Sequence, residues 1–215
     1  RETVSTRAEG HHRHKKQTGG AGQFGAVFLR VEPLPRGAGF EFVDEVKGGR
    51  ISGQLLPAVE KGVRQVLQSC AISGHPLQGV RGGVHDGKHH AVDSKEIAFV
   101  TAGKRAFQAA IRDARPVVLE PSARVHITAP EGAVGAITGD LSTRRGMFSG
   151  PDPGELGQMS VSGQAPMAEL ADYQTRLNAM TAGQGRYSLA LSHYEVVPPG
   201  VQQQLMGQHK VQDED

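Results

Sequence analysis

Apolar positions recur along this chain in blocks whose spacing switches between two and three-to-four, and each switch predicts a new element. Residues 2–9 and 25–32 (Gly-Ala-Val-Phe-Leu-Arg-Val-Glu) read as strands separated by a basic run and a glycine-rich turn, and Phe40 to Val46 reads as a third short strand. Leu55, Val59, Val63, Val66 and Cys70 then fall on one helical face. Ser73, Gly74 and Pro76 break that pattern. Leu77 to Val84 reads as a strand, and His85-Asp86-Gly87-Lys88-His89-His90 as a turn built from residues that tolerate unusual dihedrals. A second helix is expected from Asp93 or Ser94, because Asp93 three residues before Glu96 resembles a capping box, with Val100, Phe107, Ile111 and Ala114 on its apolar face and Arg115-Pro116 ending it.

Beyond Pro116 the order changes. Val117 to Ala129 is strand-like, and Val134, Ile137 and Leu141 mark a helix beginning near Pro130. Met147 to Ser149 and Gln158 to Ala165 are strands around a Pro/Gly/Asp turn, Leu170, Tyr173, Leu177 and Met180 share a helix face, and Tyr187 to Val196 alternates as a last strand. Strand, helix, strand, strand, helix, strand is the split βαβ, ferredoxin-like plan, so the chain is α+β with a boundary near Pro116. The expected division is 1–118, 119–200 and a polar tail 201–215 that frays, since Gln202, Gln203, Gln204 and Asp213-Glu214-Asp215 leave it little apolar content.

Composition narrows the class without changing this outline. With 37 % hydrophobic and 21 % charged residues the chain is an ordinary globular one and not a disordered one, while 5 % aromatics and no Trp require aliphatic cores. No apolar run approaches the roughly 18–20 residues of a membrane span, so no membrane partner is expected. No basic-then-apolar leader is visible, and the single cysteine, Cys70, can form no internal disulfide and is expected to be a buried inert thiol. Those features point to the cytoplasm. The chain starts on Arg1 in mid-pattern, which suggests a piece of something longer.

The formal charge of +2 hides an asymmetry: residues 1–118 hold 18 Lys and Arg against 11 Asp and Glu, and residues 119–215 hold 6 against 11. His11, His12, Arg13, His14, Lys15 and Lys16 are six consecutive basic or potentially basic positions. A polyanion would feel that local field, although a solvated strand or loop face accounts for such a run equally well.

Single motifs decide little. Gly20-Ala21-Gly22-Gln23-Phe24-Gly25-Ala26-Val27 fits the glycine pattern of kinases and, in its first six residues, of dinucleotide sites. A strand rather than a helix is predicted to follow it, however, and no H-R-D, D-F-G or G-x-x-x-x-G-K-[ST] occurs. The alternatives are a structural hairpin or a loop whose missing side chains let its backbone approach RNA. His85, His89 and His90 beside Asp86 and Asp93 have metal-ligand chemistry, but no H-x-x-x-H pair lies on a predicted helix, and no nucleophile or second carboxylate supports acid–base catalysis by His90. No catalytic or metal site is therefore assigned. Arg144-Arg145 is either a cation pair at a helix C-terminus or a phosphate contact.

Taken together, three blocks carry a resemblance: residues 15–25 (KKQTGGAGQFG), residues 56–62 (LPAVEKG) and residues 86–99 (DGKHHAVDSKEIAF). Residues 116–121 (PVVLEP), 139–146 (GDLSTRRG) and 194–198 (YEVVP) continue it. In these segments the chain resembles the C-terminal part of elongation factor G, the ribosomal translocase, to about residue 200. The resemblance implies a domain IV of ribosomal protein S5 domain 2-like fold over residues 1–118, followed by a ferredoxin-like domain V. It also implies a ribosome partner. Domain IV tip loops would enter the small-subunit decoding region beside tRNA and mRNA, domain V would face the large-subunit factor-binding region, and the molecule would be a monomer. The fragment would need no cofactor, with GTP and Mg belonging to the GTPase domain of the parent protein.

Carried over by position, the first tip loop is Thr18 to Phe24, with Gln23 on the family's loop glutamine. The second is Asp86 to His90, with His90 on its tip histidine. The implied RNA-contacting set is Arg13, Lys15, Lys16, Gln17, Thr18, Gly19, Gly20, Gly22, Gln23, Asp86, Gly87, Lys88, His89 and His90, with Arg144 and Arg145 in the second domain. Glycines permit close backbone approach, and amide or imidazole groups contact sugar hydroxyls and phosphates without demanding a base. Ala21 stands where the family usually has Arg, Lys88-His89 replaces a small residue and an aromatic, Ala91 replaces a polar residue, and Ser52 and Leu55 interrupt the usual residues before Leu56-Pro57. These departures suggest a divergent or paralogous factor. Ribosome recycling and tetracycline-resistance-like ribosomal protection are the alternatives to translocation.

Overall fold

The computed structural model describes residues 1–17, 19–69 and 72–209. They form two compact units, residues 119–196 and a first unit made of residues 1–118 with the described residues from Val197 onward.

In the first unit the elements run β1 (Glu2–Val4), β2 (Ala8–Lys16), β3 (Gln23–Pro33), β4 (Phe40–Asp44), α1 (Leu56–Ser69), β5 (Val80–Lys88) and α2 (Glu96–Asp113). Four strands make a sheet in the order β2-β3-β5-β4, antiparallel except for the β4–β5 pair, which is parallel and joined through α1. The short β1 pairs instead with Pro116–Val118 at the start of β6 (Pro116–Pro130). Both helices put their apolar stripes into one core with the strands: Val59, Val63, Val66, Phe99, Phe107 and Ile111 meet Val27, Leu29, Val31 and Val84, all fully buried. At about 1.5–3 kcal/mol per buried side chain this cluster dominates the unit's stability. The helices cross closely because a Cβ at Gly62 would overlap the Val100 carbonyl and one at Gly103 would come within 2.7 Å of the Val59 carbonyl.

The second unit follows the expected order: β6 from Leu119, a 3-10 turn Glu131–Ala133, α3 (Val134–Ser142), β7 (Met147–Pro153), β8 (Gln158–Pro166), α4 (Tyr173–Thr181) and β9 (Arg186–Val196). The antiparallel sheet has the order β9-β6-β8-β7. That is the ferredoxin-like arrangement, with the first and third strands central. Its core joins Val125, Ile127 and Val161 of the sheet to Ile137, Leu141, Tyr173 and Leu177 of the helices. Both units are α+β.

Four local expectations are corrected. The basic run is not a connection between strands but most of β2, paired residue for residue with β3 from Ala8↔Val31 to Lys16↔Gln23. Burial alternates along it, with Gly10 buried, His12 and His14 half-buried, and Glu9, His11, Arg13 and Lys15 exposed. The period of two was hidden because the inward positions are Gly and His, not aliphatic residues. Second, Asp86, Gly87 and Lys88 belong to β5 rather than to a turn, held by pairing with Phe28, Val27 and Ala26. Third, α2 begins at Glu96 after Lys95 with no side-chain cap, the Ser94 hydroxyl being bonded to His90 and Phe24 instead. Fourth, the tail is not frayed through its first part: α5 (Pro199–Gln208) starts on a proline suited to a first helical position, and Gln202 accepts the Val118 N–H (3.2 Å) and donates to the Pro116 carbonyl (3.5 Å). Cys70 and residues 210–215 lie outside the described residues.

Candidate nucleic-acid interface

The β2–β3 hairpin ends in the connection Gln17–Gly22, and the segment His89–Lys95 links β5 to α2 beside it. Backbone and hydroxyl bonds tie the two together. The Phe24 N–H donates to the Asp93 carbonyl at 2.9 Å, and Ser94 Oγ accepts the His90 N–H at 2.6 Å while donating to the Phe24 carbonyl at 3.1 Å. The Ser94 hydroxyl thus closes the neighbouring loop onto β3 instead of capping α2.

Phe24 is the floor of the arrangement, 4 % exposed. The His90 ring meets it edge-on at 4.1 Å, and the Arg13 guanidinium lies over it at 5.3 Å. A cation above an aromatic face and an imidazole against its edge fix both side chains at the rim. Around them opens a cleft of about 350 Å³, lined by Arg13, Lys15, Lys16, Gln17, Gly22 and Gln23 on the hairpin side and by His90, Ala91, Val92 and Asp93 on the other. Arg13, Lys15, Lys16 and Lys88 are exposed and make no ion pair among the described residues. His12 is different: burial, then the positive charge of Arg105 and the neighbouring His14 and His11, hold its pKa below the ordinary 6.5. That shift favours its neutral form, so His12 adds little to the field of Arg13, Lys15 and Lys16.

The structure thus brings Arg13, Lys15, Lys16, Gln17, Gly22, Gln23 and His90 to one cleft, with Gly19 and Gly20 exposed in the hairpin connection. Thr18 lies outside the described residues. The Gln23 amide oxygen is engaged by His14 Nε2 at 3.0 Å. The second predicted loop serves the fold in its first half. Asp86 pairs with Arg50 at 3.4 Å and accepts the Gly87 N–H at 2.8 Å, and a Cβ on the buried Gly87 would collide with Ile51. His89 bonds the Arg50 carbonyl through Nδ1 at 2.9 Å.

Arg144 and Arg145 lie in the other unit, bound internally. Arg144, 7 % exposed, holds Asp140 and Asp172 at 2.8 Å each and the Glu169 carbonyl, and these partners raise its pKa further. Arg145 bridges Glu120 at 2.7 Å and Glu169 at 3.0 Å. Of the two readings of this pair, the geometry favours the ion-paired helix end. The glycine pattern from Gly20 runs into β3 rather than a helix N-terminus, so it offers no phosphate cradle of the nucleotide-binding kind. Among the described residues no three His, Cys, Asp or Glu converge as a metal site, and no helix is long and apolar enough to cross a membrane.

Phe24, Ser94 and His14 are parts of the site that residue chemistry alone did not single out. An aromatic immediately before a glycine at a strand start is the visible signal for Phe24, whereas Ser94 is expected only as an alternative start of α2.

Comparisons with known proteins agree on one family. Residues 1–115 match the family described as elongation factor G, domain IV, and residues 117–205 match elongation factor G C-terminus. An elongation factor G-like protein of Thermotoga maritima is 40 % identical over 210 residues, covering 98 % of this chain and 31 % of the relative. Elongation factor G of Aquifex pyrophilus is 41 % identical over 209 residues, covering 97 % and 30 % respectively. The chain therefore spans about a third of the length of these relatives. A crystal structure of a Thermus thermophilus protein superposes with a TM-score of 0.83 at 37 % identity over 97 % of this chain and 31 % of that one.

Proposed function

The chain belongs to the elongation factor G family, and from that premise we propose that it is the ribosome-binding C-terminal portion of a cytoplasmic translational GTPase that promotes translocation. Residues 1–118 act as domain IV and residues 119–200 as domain V. The observation that carries the reading is the cleft over Phe24, where a side-chain-poor hairpin end, unpaired cations and a rim histidine share one edge of the first unit. Such a surface recognises the sugar–phosphate framework of tRNA and mRNA in the decoding region without reading sequence. A factor that moves every codon requires that indifference. Domain V faces the factor-binding region of the large subunit, and the molecule works as a monomer.

GTP and Mg²⁺ bind to the parent protein outside these residues, so the chain by itself hydrolyses nothing. Its part is to convert a conformational change driven elsewhere into movement of RNA. His90→Ala in the intact parent tests the assignment. Translocation should slow about 10-fold or more, as expected when a positioned contact worth about 1.4 kcal/mol is lost, while ribosome-stimulated GTP hydrolysis is retained. Translocation at the unmodified rate would remove His90 from the interface.

A further inference from the structure

The face of the β2-β3-β5-β4 sheet turned away from α1 and α2 changes character along its length. Toward one end its charges are matched: Arg30 bridges Glu9 and Glu45, and Arg81 bridges Glu41 and Glu32. Toward the hairpin end the matching stops. His11, Phe28 and Asp86 occupy one cross-strand row, Arg13, Ala26 and Lys88 the next, about 7 Å further along. Asp86 is neutralised by Arg50, whereas Arg13 and Lys88 carry unpaired charge on either side of the small Ala26.

Phe28 is the anomaly of this face. It is a strand-centre aromatic 36 % exposed, with its ring 4.3 Å from that of His11 at an interplanar angle of 34°. The bulge between Phe28 and Leu29 brings His85 in from the other side, ring centroids 6.3 Å apart, with its Nε2 buried and without a hydrogen-bond partner among the described residues. An aromatic pair left open beside two unpaired cations is suited to a ligand that carries both a π-face and a negative charge.

We infer that this sheet face is a stacking platform for an unpaired RNA base, Phe28 and His11 taking the base and Arg13 and Lys88 the adjoining phosphate. The inference deepens the proposed RNA-binding reading by naming a second subsite, beside the cleft over Phe24 and sharing Arg13 with it. Charge complementarity commits the occupant to nucleic acid: a protein partner would meet two uncompensated cations, whereas a nucleotide supplies both an aromatic face and a phosphate. Stacking on a sheet aromatic tolerates any base, because each base has a π-face.

The chain contains no Trp, so Phe28→Trp places one fluorophore on the platform and retains its aromatic face. Titration with a ten-nucleotide oligoadenylate RNA should quench its emission saturably, while an abasic ribose-phosphate strand of equal length should bind without quenching. Phe28→Leu should weaken oligoadenylate binding about 5-fold to 150-fold, the equivalent of about 1–3 kcal/mol, and leave abasic binding unchanged. Far-ultraviolet circular dichroism checks that both variants fold, and Phe28→Tyr should restore affinity. RNA binding by anisotropy with no emission change, or no loss in Phe28→Leu, would overturn the platform and leave the cleft reading intact. Absence of any RNA binding at low salt would overturn both. Quenching by RNA-free ribosomal proteins but by no RNA strand would assign the face to a protein and overturn the proposal.

Discussion

If Arg13, Lys15, Lys16 and Lys88 are the cations that meet phosphate, the salt dependence of RNA binding follows from counting them. The structure leaves all four exposed and without ion pairs among the described residues, and it removes His12 from the count because burial and neighbouring charge favour the neutral form of that imidazole. Each phosphate neutralised on a single strand contributes about 0.7 to the negative slope of log affinity against log salt, so four predict a slope of about −2.8. Raising salt from about 50 to about 200 mM should then weaken binding roughly 50-fold. Lys15→Gln/Lys16→Gln removes two of the four charges at solvent-exposed strand-end positions, which leaves the core untouched. Its slope should be about −1.4 and its loss over the same range roughly 7-fold. Fluorescence anisotropy with a labelled single-stranded RNA, repeated at four or more salt concentrations for both proteins, gives the two slopes directly. A slope near zero, or the same slope in both proteins, would refute the assignment of these side chains to phosphate.

Two further predictions concern the second unit, whose residues contain all three tyrosines of the chain, so that tyrosine fluorescence reports its unfolding. Arg144→Ala strips the nearly buried Asp140 of its closest partner while Arg176 remains at 3.2 Å, and should cost about 3 kcal/mol in urea denaturation; a loss below about 1 kcal/mol would show the network to be dispensable. Tyr173→Phe removes a buried hydroxyl that has no hydrogen-bond partner among the described residues and should be neutral or stabilising by about 1 kcal/mol at pH 7. Burial pushes the Tyr173 phenol up from 10.0 to about 12, so the folded state keeps a proton that the unfolded state releases. The unmodified chain should therefore lose stability between about pH 10 and about pH 12, by something of the order of 2 kcal/mol, and Tyr173→Phe should lack that component; identical alkaline profiles would contradict it.

The second unit was legible almost element by element, since its strands and helices follow aliphatic patterns such as Val134, Ile137 and Leu141, of which Ile137 and Leu141 enter the core. The resemblance reached the family because its blocks, from Lys15 to Gly25 and from Asp86 to Phe99, are ordered along the chain and do not depend on any one of them. Where reading failed, the residues carried two competing signals. Asp86 and Gly87 have turn chemistry, but pairing with Phe28 and Val27 keeps them in β5, and the buried Gly87 sits where no side chain fits against Ile51. Asp93 has cap chemistry, yet α2 starts two residues after it could and without a side-chain cap, while the adjacent Ser94 hydroxyl satisfies the backbone of Phe24 and His90.

Sequence alone thus determined most of the order of elements, β2 and α5 excepted, together with the α+β class, the family and the basic run, because periodicity, turn residues and block order are local or sequential properties. Only the tertiary structure decided which cations are free. Arg144, Arg145 and Arg50 look as basic as Arg13 or Lys88 in a string of letters, and they differ because folding brings carboxylates to the first three and none among the described residues to the others. It also decided that Phe24 is a covered floor while Phe28 lies open, although both stand on the same face of one strand. Free charge and open aromatic surface depend on what the chain places opposite a residue, and partners far apart in sequence are set by packing rather than by local pattern.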